Sequence, residues 1–384
     1  MHTETTSINQ FLNTGESMVN KRIERLIQQL ENDQIDLIAI NAGRNLAYFS
    51  GLHFHESERP AVLLVGKGKA PAFIFPEFEH EKVSNATFNI APFAYTEDPS
   101  TWGNAFKKAL HYFNGHQLMI GVEPTAFRFL EINLLQRAST EIQITSAAHI
   151  FNALRTVKDA EEINSIRQAI QIAETALEST IPFIEVGITE QEIANQLVVN
   201  LLRNGSEPEL PFAPIIASGP NSANPHAVPG CRKLKKGDLI VIDWGARKNG
   251  YISDITRTFA LGNVDNKLMT IYEIVKEANH AARKITSSNF ISEKIDFAAR
   301  NIIQKEGYGN FFLHRTGHGI GLEAHEEPYI SAENSTKIIS GMTFTIEPGI
   351  YLPGKGGVRI EDDVVVSNDN LITLTSLNRE LRVL

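Results

Sequence analysis

Two aspartates, Asp243 and Asp254, lie eleven residues apart on either side of the dipeptide Asn249-Gly250. Asn-Gly between an apolar run and an alternating run predicts a β-hairpin with a two-residue turn. Counting back from this turn places Asp243 opposite Thr256, so Asp254 lies on the same face as its diagonal neighbour. Carboxylates buried together repel each other, and a cation between them would remove that cost. The segment alone leaves two alternatives open, a metal site and an exposed hairpin whose aspartates face water.

Further residues with metal-binding chemistry lie nearer the C-terminus. Residues 342–349 predict a strand that carries Glu347 and is stopped by Pro348-Gly349. Residues 357–366 predict an alternating strand. Its apolar face holds Val358 and Ile360, and its polar face holds Arg359, Glu361 and Asp363. Between the two halves, His318 lies among glycines, which let a backbone approach its neighbours closely.

Two Asp, two Glu and one His on the strands of one domain would form a cage of oxygen and imidazole ligands without thiolates. Such ligands suit two hard or borderline divalent cations such as Mn²⁺, Co²⁺, Fe²⁺ or Zn²⁺. Two ions roughly 3.5–4 Å apart can share a hydroxide and polarise a carbonyl group, as in dinuclear hydrolases. The combination therefore indicates metal-dependent hydrolysis.

The elements that must position these residues are divided between two predicted domains, as the length of 384 residues favours. Residues 1–154 alternate predicted helices and strands and indicate a small α/β domain. Residues 155–384 indicate a second domain, in which capping boxes at Asp159 and Thr189 begin two helices. In this domain the order of two helices followed by strands occurs twice.

The composition narrows the class of partner. Hydrophobic residues make up 42% and charged residues 21% of the chain, as expected for a folded globular protein. The net charge of -9, without a sustained basic run, disfavours a nucleic-acid partner. The single cysteine, Cys231, excludes an intrachain disulfide framework and fits a reducing compartment. With no signal-peptide pattern and no apolar run of membrane-spanning length, we expect a cytoplasmic protein without a membrane partner.

The sequence resembles the metallopeptidase family with the pita-bread fold, and within it the Xaa-Pro peptidases, namely aminopeptidase P and prolidase. The motifs that carry this likeness are Asp243 with Asp254, Gly317-His318-Gly319-Ile320-Gly321, Glu347-Pro348-Gly349 and Arg359-Ile360-Glu361-Asp362. The N-terminal portion also resembles the creatinase/prolidase N-terminal domain. The resemblance implies an α/β domain over residues 1–154 and an α+β pita-bread catalytic domain over residues 155–384.

The resemblance also implies two divalent metal ions, with manganese expected and cobalt, zinc or iron as alternatives. Asp243 would bind one ion, His318 and Glu347 the other, and Asp254 and Glu361 would bridge both. A hydroxide shared by the ions would attack the scissile carbonyl, with Glu347 as general base or proton shuttle.

Five further residues match substrate-pocket positions of the family. His226 matches a histidine that lines the pocket and aids proton transfer, and His325 one that bonds the substrate carbonyl or the tetrahedral intermediate. His314 matches a pocket histidine. Arg359 matches an arginine bonded to the metal-site carboxylates, and Tyr351 an active-site tyrosine. By residue type alone, Arg359 could equally be a salt-bridge residue on a strand, and Tyr351 could equally be an aromatic residue of the core.

One position departs from the prolidase pattern. Dipeptide-cleaving prolidases of this kind carry an arginine after His-Glu-x-Pro, where it pairs with the free carboxylate of the substrate. Here Tyr329 follows residues 325–328, and a tyrosine offers one hydrogen bond but no bidentate cation. The sequence therefore favours aminopeptidase P-like removal of an N-terminal residue before proline. Prolidase is the alternative, with Arg315 or the N-terminal domain supplying the missing charge.

Other members of the family fit less well. Methionine aminopeptidases resemble only the C-terminal half, creatinase-like enzymes lack the ligand set, and non-catalytic relatives that bind protein partners have lost it. The expected ligands are thus proline-containing peptides. By analogy with the family, the expected assembly is a homodimer.

Overall fold

The computed structural model describes residues 18–114, 117–285, 291–368 and 370–384. The chain divides into two compact units, Met1–Leu154 and Arg155–Leu384. In the part of the chain that is described, no helix is both long enough and apolar enough to cross a bilayer.

The first unit is an α/β fold around one mixed sheet. Its described strands lie in the order β4-β3-β2-β1-β5-β6, and β1 pairs antiparallel with β2 and parallel with β5. The strands are β1 Leu37–Asn41, β2 Val62–Gly66, β3 Ala72–Pro76, β4 Ala91–Tyr95, β5 Met119–Val122 and β6 Gln143–Ser146. The helices are α1 Met18–Asp33, α2 Arg44–Ser50, α3 His80–Ser84, α4 Pro99–Tyr112, α5 Phe129–Ala138 and α6 Ala148–Thr156, the last of which crosses the boundary between the units. Strands β1, β2 and β3 are buried along their whole length, which explains their nearly continuous apolar sequences.

The second unit is an α+β fold, as predicted. Its helices are α7 Ala160–Thr180, α8 Glu190–Arg203, α9 Asn266–Arg283 and α10 Ser292–Lys305. Both predicted capping boxes are present: the side chains of Asp159 and Thr189 accept hydrogen bonds from the first turns of α7 and α8, and their backbone N–H groups donate to the carboxylates of Glu162 and Glu192. The repeated order of two helices followed by strands is also confirmed.

Two sheets of the second unit carry the residues of interest. Among the described residues, one sheet has the order β19-β11-β8-β7 and the other the order β13-β12-β14-β17-β18, while β9 pairs with β10 and β15 with β16. The strands are β7 Ile215–Ser218, β8 Leu239–Trp244, β9 Arg247–Lys248, β10 Tyr251–Ile252, β11 Ile255–Ala260, β12 Gly317–Gly319, β13 Glu326–Ile330, β14 Thr343–Ile346, β15 Gly349–Leu352, β16 Gly356–Arg359, β17 Asp362–Ser367, β18 Asn370–Thr373 and β19 Arg382–Val383.

Alternation along the central strands separates a hydrophobic face from a polar one. Phe344 and Ile346 of β14, with Val364 and Val366 of β17, belong to the core that contains the apolar faces of α9 and α10. Burying a side chain of this size contributes about 1.5–3 kcal/mol, so the pattern strongly determines which face turns inward. Thr345 and the other odd-numbered positions therefore lie on the opposite face.

The prediction of one continuous strand over residues 357–366 is wrong. The segment forms two strands, β16 and β17, which pair with β15 and β14 respectively. Ile360 and Glu361 lie between them, and Glu361 makes an isolated bridge to Thr256 of β11. The predicted alternation nevertheless holds, because Val358 and Ile360 join the hydrophobic core.

Candidate active site

The hairpin that carries the two aspartates has the predicted register. Lys248 pairs with Tyr251, and Asp243 on β8 pairs with Thr256 on β11. Asn249 and Gly250 have φ values of 52° and 78°, the left-handed conformation that a tight hairpin turn of this kind requires. Asp254 follows β10, at an interruption before β11 begins. The interruption keeps Asp254 buried beside the second sheet, where its N–H donates to Asp363 Oδ2 at 3.1 Å.

His318 lies on β12, between β13 and β14. A Cβ atom at Gly317 would lie 1.9 Å from the carbonyl oxygen of Thr345, and one at Gly319 would lie 2.2 Å from that of Glu327. The flanking glycines are therefore needed because three strands approach closely at the histidine.

The imidazole of His318 is oriented for coordination. Its Nδ1 lies 3.3 Å from the carbonyl oxygen of Gly319, which assigns the proton to that nitrogen. Nε2 then presents its lone pair 3.3 Å from Glu347 Oε1 and 3.7 Å from Asp254 Oδ2. Burial lowers the pKa of His318 well below its usual value, so the ring is neutral, as a metal ligand must be.

The four carboxylates and His318 form a cluster, here called the ligand cluster: Asp243, Asp254, His318, Glu347 and Glu361. Potential ligand atoms of Asp254, His318 and Glu361 all lie within 4.8 Å of one another. Asp243 Oδ1 is buried without a hydrogen-bond partner among the described residues. Burial, reinforced by the other carboxylates, raises the pKa of Asp254 and of Glu361 well above the usual range.

Such a set of buried acids is costly unless cations accompany it. Its oxygen and imidazole donors, together with the unpartnered Asp243 Oδ1, fit divalent metal ions.

Arg359 and Thr256 support the cluster from the side. Arg359 donates from Nη2 to Asp243 Oδ2 at 2.5 Å and from Nε to Thr256 Oγ1 at 3.0 Å. The Thr256 hydroxyl in turn donates to Glu361 Oε2 at 2.6 Å. Sequence reasoning missed this role of Thr256, although the hairpin register already placed it opposite Asp243.

The buried side-chain amide of Asn279 binds the backbone next to two residues of the ligand cluster. Asn279 on α9 donates to the carbonyl oxygens of Ile346 and Ile360 at 3.1 and 3.2 Å. These are the residues immediately before Glu347 and Glu361, so one side chain anchors both glutamate-bearing segments. The sequence offers no local signal for this contact, because α9 is more than sixty residues away along the chain.

A hydrogen-bond chain connects His314 to the ligand cluster. His314 Nδ1 donates to the carbonyl of Arg315 at 2.8 Å, and its Nε2 accepts from the Tyr351 hydroxyl at 2.8 Å. The Tyr351 oxygen accepts from Arg359 Nη1 at 2.9 Å. Burial lowers the pKa of His314 to about 4, which keeps this ring neutral.

A cavity of about 540 Å³ opens onto the ligand cluster. The ligand cluster and four of the five predicted substrate-pocket residues line it, namely Asp243, Asp254, His318, Glu347, Glu361, His226, His314, His325 and Arg359. The fifth, Tyr351, does not line it: its side chain is buried and its hydroxyl supports Arg359 and His314. Sequence reasoning missed an apolar part of the wall formed by Phe212, Ala213 and Ile215.

Comparison with known families gives this geometry its context. Residues 164–368 match metallopeptidase family M24, and residues 22–157 match the creatinase/prolidase N-terminal domain. The chain belongs to metallopeptidase family M24. It is therefore a metallopeptidase with the pita-bread fold, and its membership implies divalent metal ions, for which Asp254, His318 and Glu361 form a possible binding group.

Solved structures of M24 relatives superpose over nearly the whole chain. A dipeptidase from Pyrococcus horikoshii is 39% identical with a TM-score of 0.89, covering 94% of this chain and 100% of its own. A prolidase from Thermococcus sibiricus is 33% identical with a TM-score of 0.89, covering 96% and 100%. An X-Pro aminopeptidase from Thermotoga maritima is 33% identical with a TM-score of 0.82, covering 94% and 99%.

Proposed function

We propose that this M24 metallopeptidase is a prolidase, which hydrolyses the peptide bond of Xaa-Pro dipeptides with two divalent metal ions. This replaces the aminopeptidase P-like activity that Tyr329 favoured in the sequence. The relatives that match nearly the whole chain include a dipeptidase, a prolidase and, at 35% identity, a putative dipeptidase from Bacillus subtilis, which supports the alternative specificity.

In this proposal the five residues of the ligand cluster hold the two ions, with manganese as the expected metal. Bound ions would supply a nucleophilic hydroxide at neutral pH and Lewis acidity toward the scissile carbonyl. Glu347 lies at the cavity wall, 3.3 Å from His318 Nε2, where it can take a proton from the nucleophile and pass it to the leaving amine.

The histidines of the cavity wall would act on the substrate. The rings of His325 and His318 have their centroids 4.3 Å apart, so a carbonyl oxygen next to His318 would be within reach of a His325 donor. His226 lies on another part of the wall and can exchange a proton with the leaving proline nitrogen. The apolar wall at Phe212 and Ile215 suits a proline ring or an apolar side chain.

The observation that carries the dipeptidase assignment is the position of Arg315. This residue lines the same cavity as the ligand cluster. Among the described residues, no carboxylate lies within 4.0 Å of its guanidinium nitrogens. Its guanidinium carbon stands 4.3 Å from the centroid of the Tyr329 ring, a cation–π contact. Tyr329 thus supports a cation at the wall of the cavity, and that cation can pair with the free carboxylate of a dipeptide.

The test compares Ala-Pro with Ala-Pro-Ala as substrates of the Mn²⁺-loaded protein. We expect the dipeptide to have the higher kcat/KM. Arg315→Met should raise the KM for Ala-Pro roughly 10- to 100-fold, as expected for loss of a charged hydrogen bond, and leave the tripeptide nearly unaffected. Tyr329→Phe keeps the aromatic ring and is the matched control, with activity near that of the wild type. Preference for Ala-Pro-Ala would instead establish aminopeptidase P activity.

Two further expectations belong to the same proposal. We expect a homodimer, and a monomer by light scattering would exclude it. We also expect the protein in the cytoplasm, where its one cysteine, the exposed Cys231, would stay reduced.

A further inference from the structure

Both ends of the loop that carries His226 bind one buried side chain at the start of α8, and the backbone N–H of Gln191 also donates to the carbonyl of Gly230 at 3.1 Å. This loop, residues 218–230, is called the His226 loop below. It begins at Ser218, the last residue of the edge strand β7, and ends at Gly230. Both ends meet the carboxylate of Glu190, the first residue of α8. The exposed fraction of Glu190 is 0%.

Four donor groups of the His226 loop bind this carboxylate. Oε1 accepts from the backbone N–H of Ser218 at 2.8 Å and from its hydroxyl at 2.7 Å. Oε2 accepts from the backbone N–H of Gly230 at 3.3 Å. The side-chain amide of Asn221 lies 3.1 Å from both oxygens. One residue therefore satisfies the free N–H of an edge strand and joins the two ends of the loop.

Glu190 lacks an ionic partner in the part of the chain that is described. No lysine, arginine or histidine nitrogen lies within 4.0 Å of it. Arg232, two residues after the end of the loop, binds Asp238 and the Ser218 hydroxyl instead. A buried carboxylate without a counter-ion is stable only when hydrogen bonds saturate it, and its position at the start of a helix adds a favourable dipole. The closed conformation of the His226 loop and the buried carboxylate thus stabilise each other.

The middle of the same loop is attached to the active site. Ser222 Oγ donates to the carbonyl of Gly219 at 2.6 Å and accepts from the N–H of Gly357 on β16 at 2.8 Å. Arg359 donates to the carbonyl of Pro225, the residue before His226, at 3.2 Å. Glu190 fixes the two ends of the loop, and β16 fixes the segment that leads to the histidine.

We infer that Glu190 is a positioning residue, which holds His226 against the cavity through the closed His226 loop. The inference rests on the proposed function, because it assigns Glu190 an effect on substrate turnover that passes through His226. The side chain of Glu190 does not line the cavity and does not touch the ligand cluster among the residues described.

The kinetic test uses Glu190→Gln, with the exposed Glu185→Gln as matched control. The amide keeps an acceptor for Ser218 but directs donors at the N–H of Gly230, so this bond is lost while the bond from the Gln191 N–H to the Gly230 carbonyl remains. We expect kcat/KM for Ala-Pro to fall roughly tenfold with unchanged metal content, in line with lost substrate positioning. In a His226→Ala background, the same substitution should cost less than about twofold, because its effect passes through His226. An equal loss in both backgrounds would overturn the inference.

A second measurement needs no substrate. Hydrogen exchange of peptides from residues 218–230 should speed up in Glu190→Gln and stay unchanged in Glu185→Gln. Wild-type protein that exchanges as expected but cleaves neither substrate would refute the proposed function and leave the loop closure standing. Unchanged exchange in Glu190→Gln would refute the closure itself. If Glu190→Gln does not fold, Asn221→Ala removes one donor, leaves the carboxylate in place and should give a smaller effect of the same sign.

Discussion

Glu361 and Asp362 are neighbours in the chain and have opposite electrostatic surroundings. Glu361 faces the cavity together with Asp243, Asp254 and Glu347, and burial with these carboxylates raises its pKa well above the usual range. Asp362 is also buried, yet nearby arginines lower its pKa to about 2. Two adjacent residues therefore differ in how their charge is balanced: Glu361 needs a cation from outside the protein, whereas Asp362 is neutralised by arginines of the protein itself.

The arginines around Asp362 come from three parts of the second unit. Arg257 Nη2 and Arg379 Nη2 each lie 2.7 Å from Asp362 Oδ1, and Arg283 Nε lies 3.4 Å from Oδ2. Arg257 follows Thr256, the residue that donates to Glu361. The two segments therefore alternate together: Thr256 bonds Glu361 on the side of the ligand cluster, while Arg257 bonds Asp362 on the other side. Equal burial thus gives a candidate metal site on one face and a structural ion-pair cluster on the other.

The largest expected effect is on catalysis at Glu361. Glu361→Gln should lower kcat/KM for Ala-Pro at least about a thousandfold, or ~4 kcal/mol in activation free energy, because an anionic metal ligand is lost. The measurement is steady-state turnover with saturating Mn²⁺. A variant that kept more than a tenth of wild-type activity would remove Glu361 from the ligand cluster.

Asp362→Asn should act on folding instead. Removing the charge leaves the buried Arg257 and the half-buried Arg283 and Arg379 without their shared carboxylate, and breaking a buried ion pair typically costs about 3–5 kcal/mol. Urea unfolding of the metal-free protein, followed by circular dichroism, should show this loss. A midpoint equal to that of the wild type would mean that the arginines do not depend on Asp362.

Mn²⁺ should stabilise the folded protein only when Glu361 is present to bind it. Mn²⁺ at a hundred times its dissociation constant should stabilise the wild-type protein by about 2.7 kcal/mol, by mass action. The thermal midpoint should therefore rise with Mn²⁺ in the wild type and hardly change in Glu361→Gln. An equal rise in both proteins would place the stabilising ion elsewhere.

The smallest expected effect is that of Glu361→Gln on the stability of the metal-free protein, and unlike Asp362→Asn it should not be a loss. Without metal, Glu361→Gln removes repulsion among the buried carboxylates, while its side-chain oxygen can still accept from Thr256. We expect its free energy of unfolding to be unchanged or up to about 1 kcal/mol higher than that of the metal-free wild type, as at other strained functional sites. A clear loss of stability would show that Glu361 also has a structural role.

Local signals in the sequence predicted which residues lie on the side of the ligand cluster and which lie in the core. The Asn249-Gly250 turn determined the register that places Asp243 opposite Thr256. Period-two alternation placed Arg359 and Glu361 on the face opposite Val358 and Ile360. The resemblance to a known family then selected the candidate ligands, and the structure brings all five together around one cavity.

Other features depend on contacts between distant segments. Arg315 and Tyr329 lie fourteen residues apart, and only the folded strands show that the guanidinium stacks on the ring. The sequence alone therefore shows that Tyr329 replaces an arginine and names Arg315 as one possible source of the charge, but it does not show the contact between them. Glu190 and Asn279 look like ordinary helix residues, and their roles appear only where loop and strand ends reach them.

The most direct test of the account is the metal dependence of Ala-Pro hydrolysis. The purified protein would be assayed after dialysis against a chelator and again after addition of Mn²⁺, with metal content measured at each stage. We predict that activity is lost with the metal and returns as about two ions per chain bind. Undiminished hydrolysis by protein shown to be metal-free would contradict the assignment of the ligand cluster.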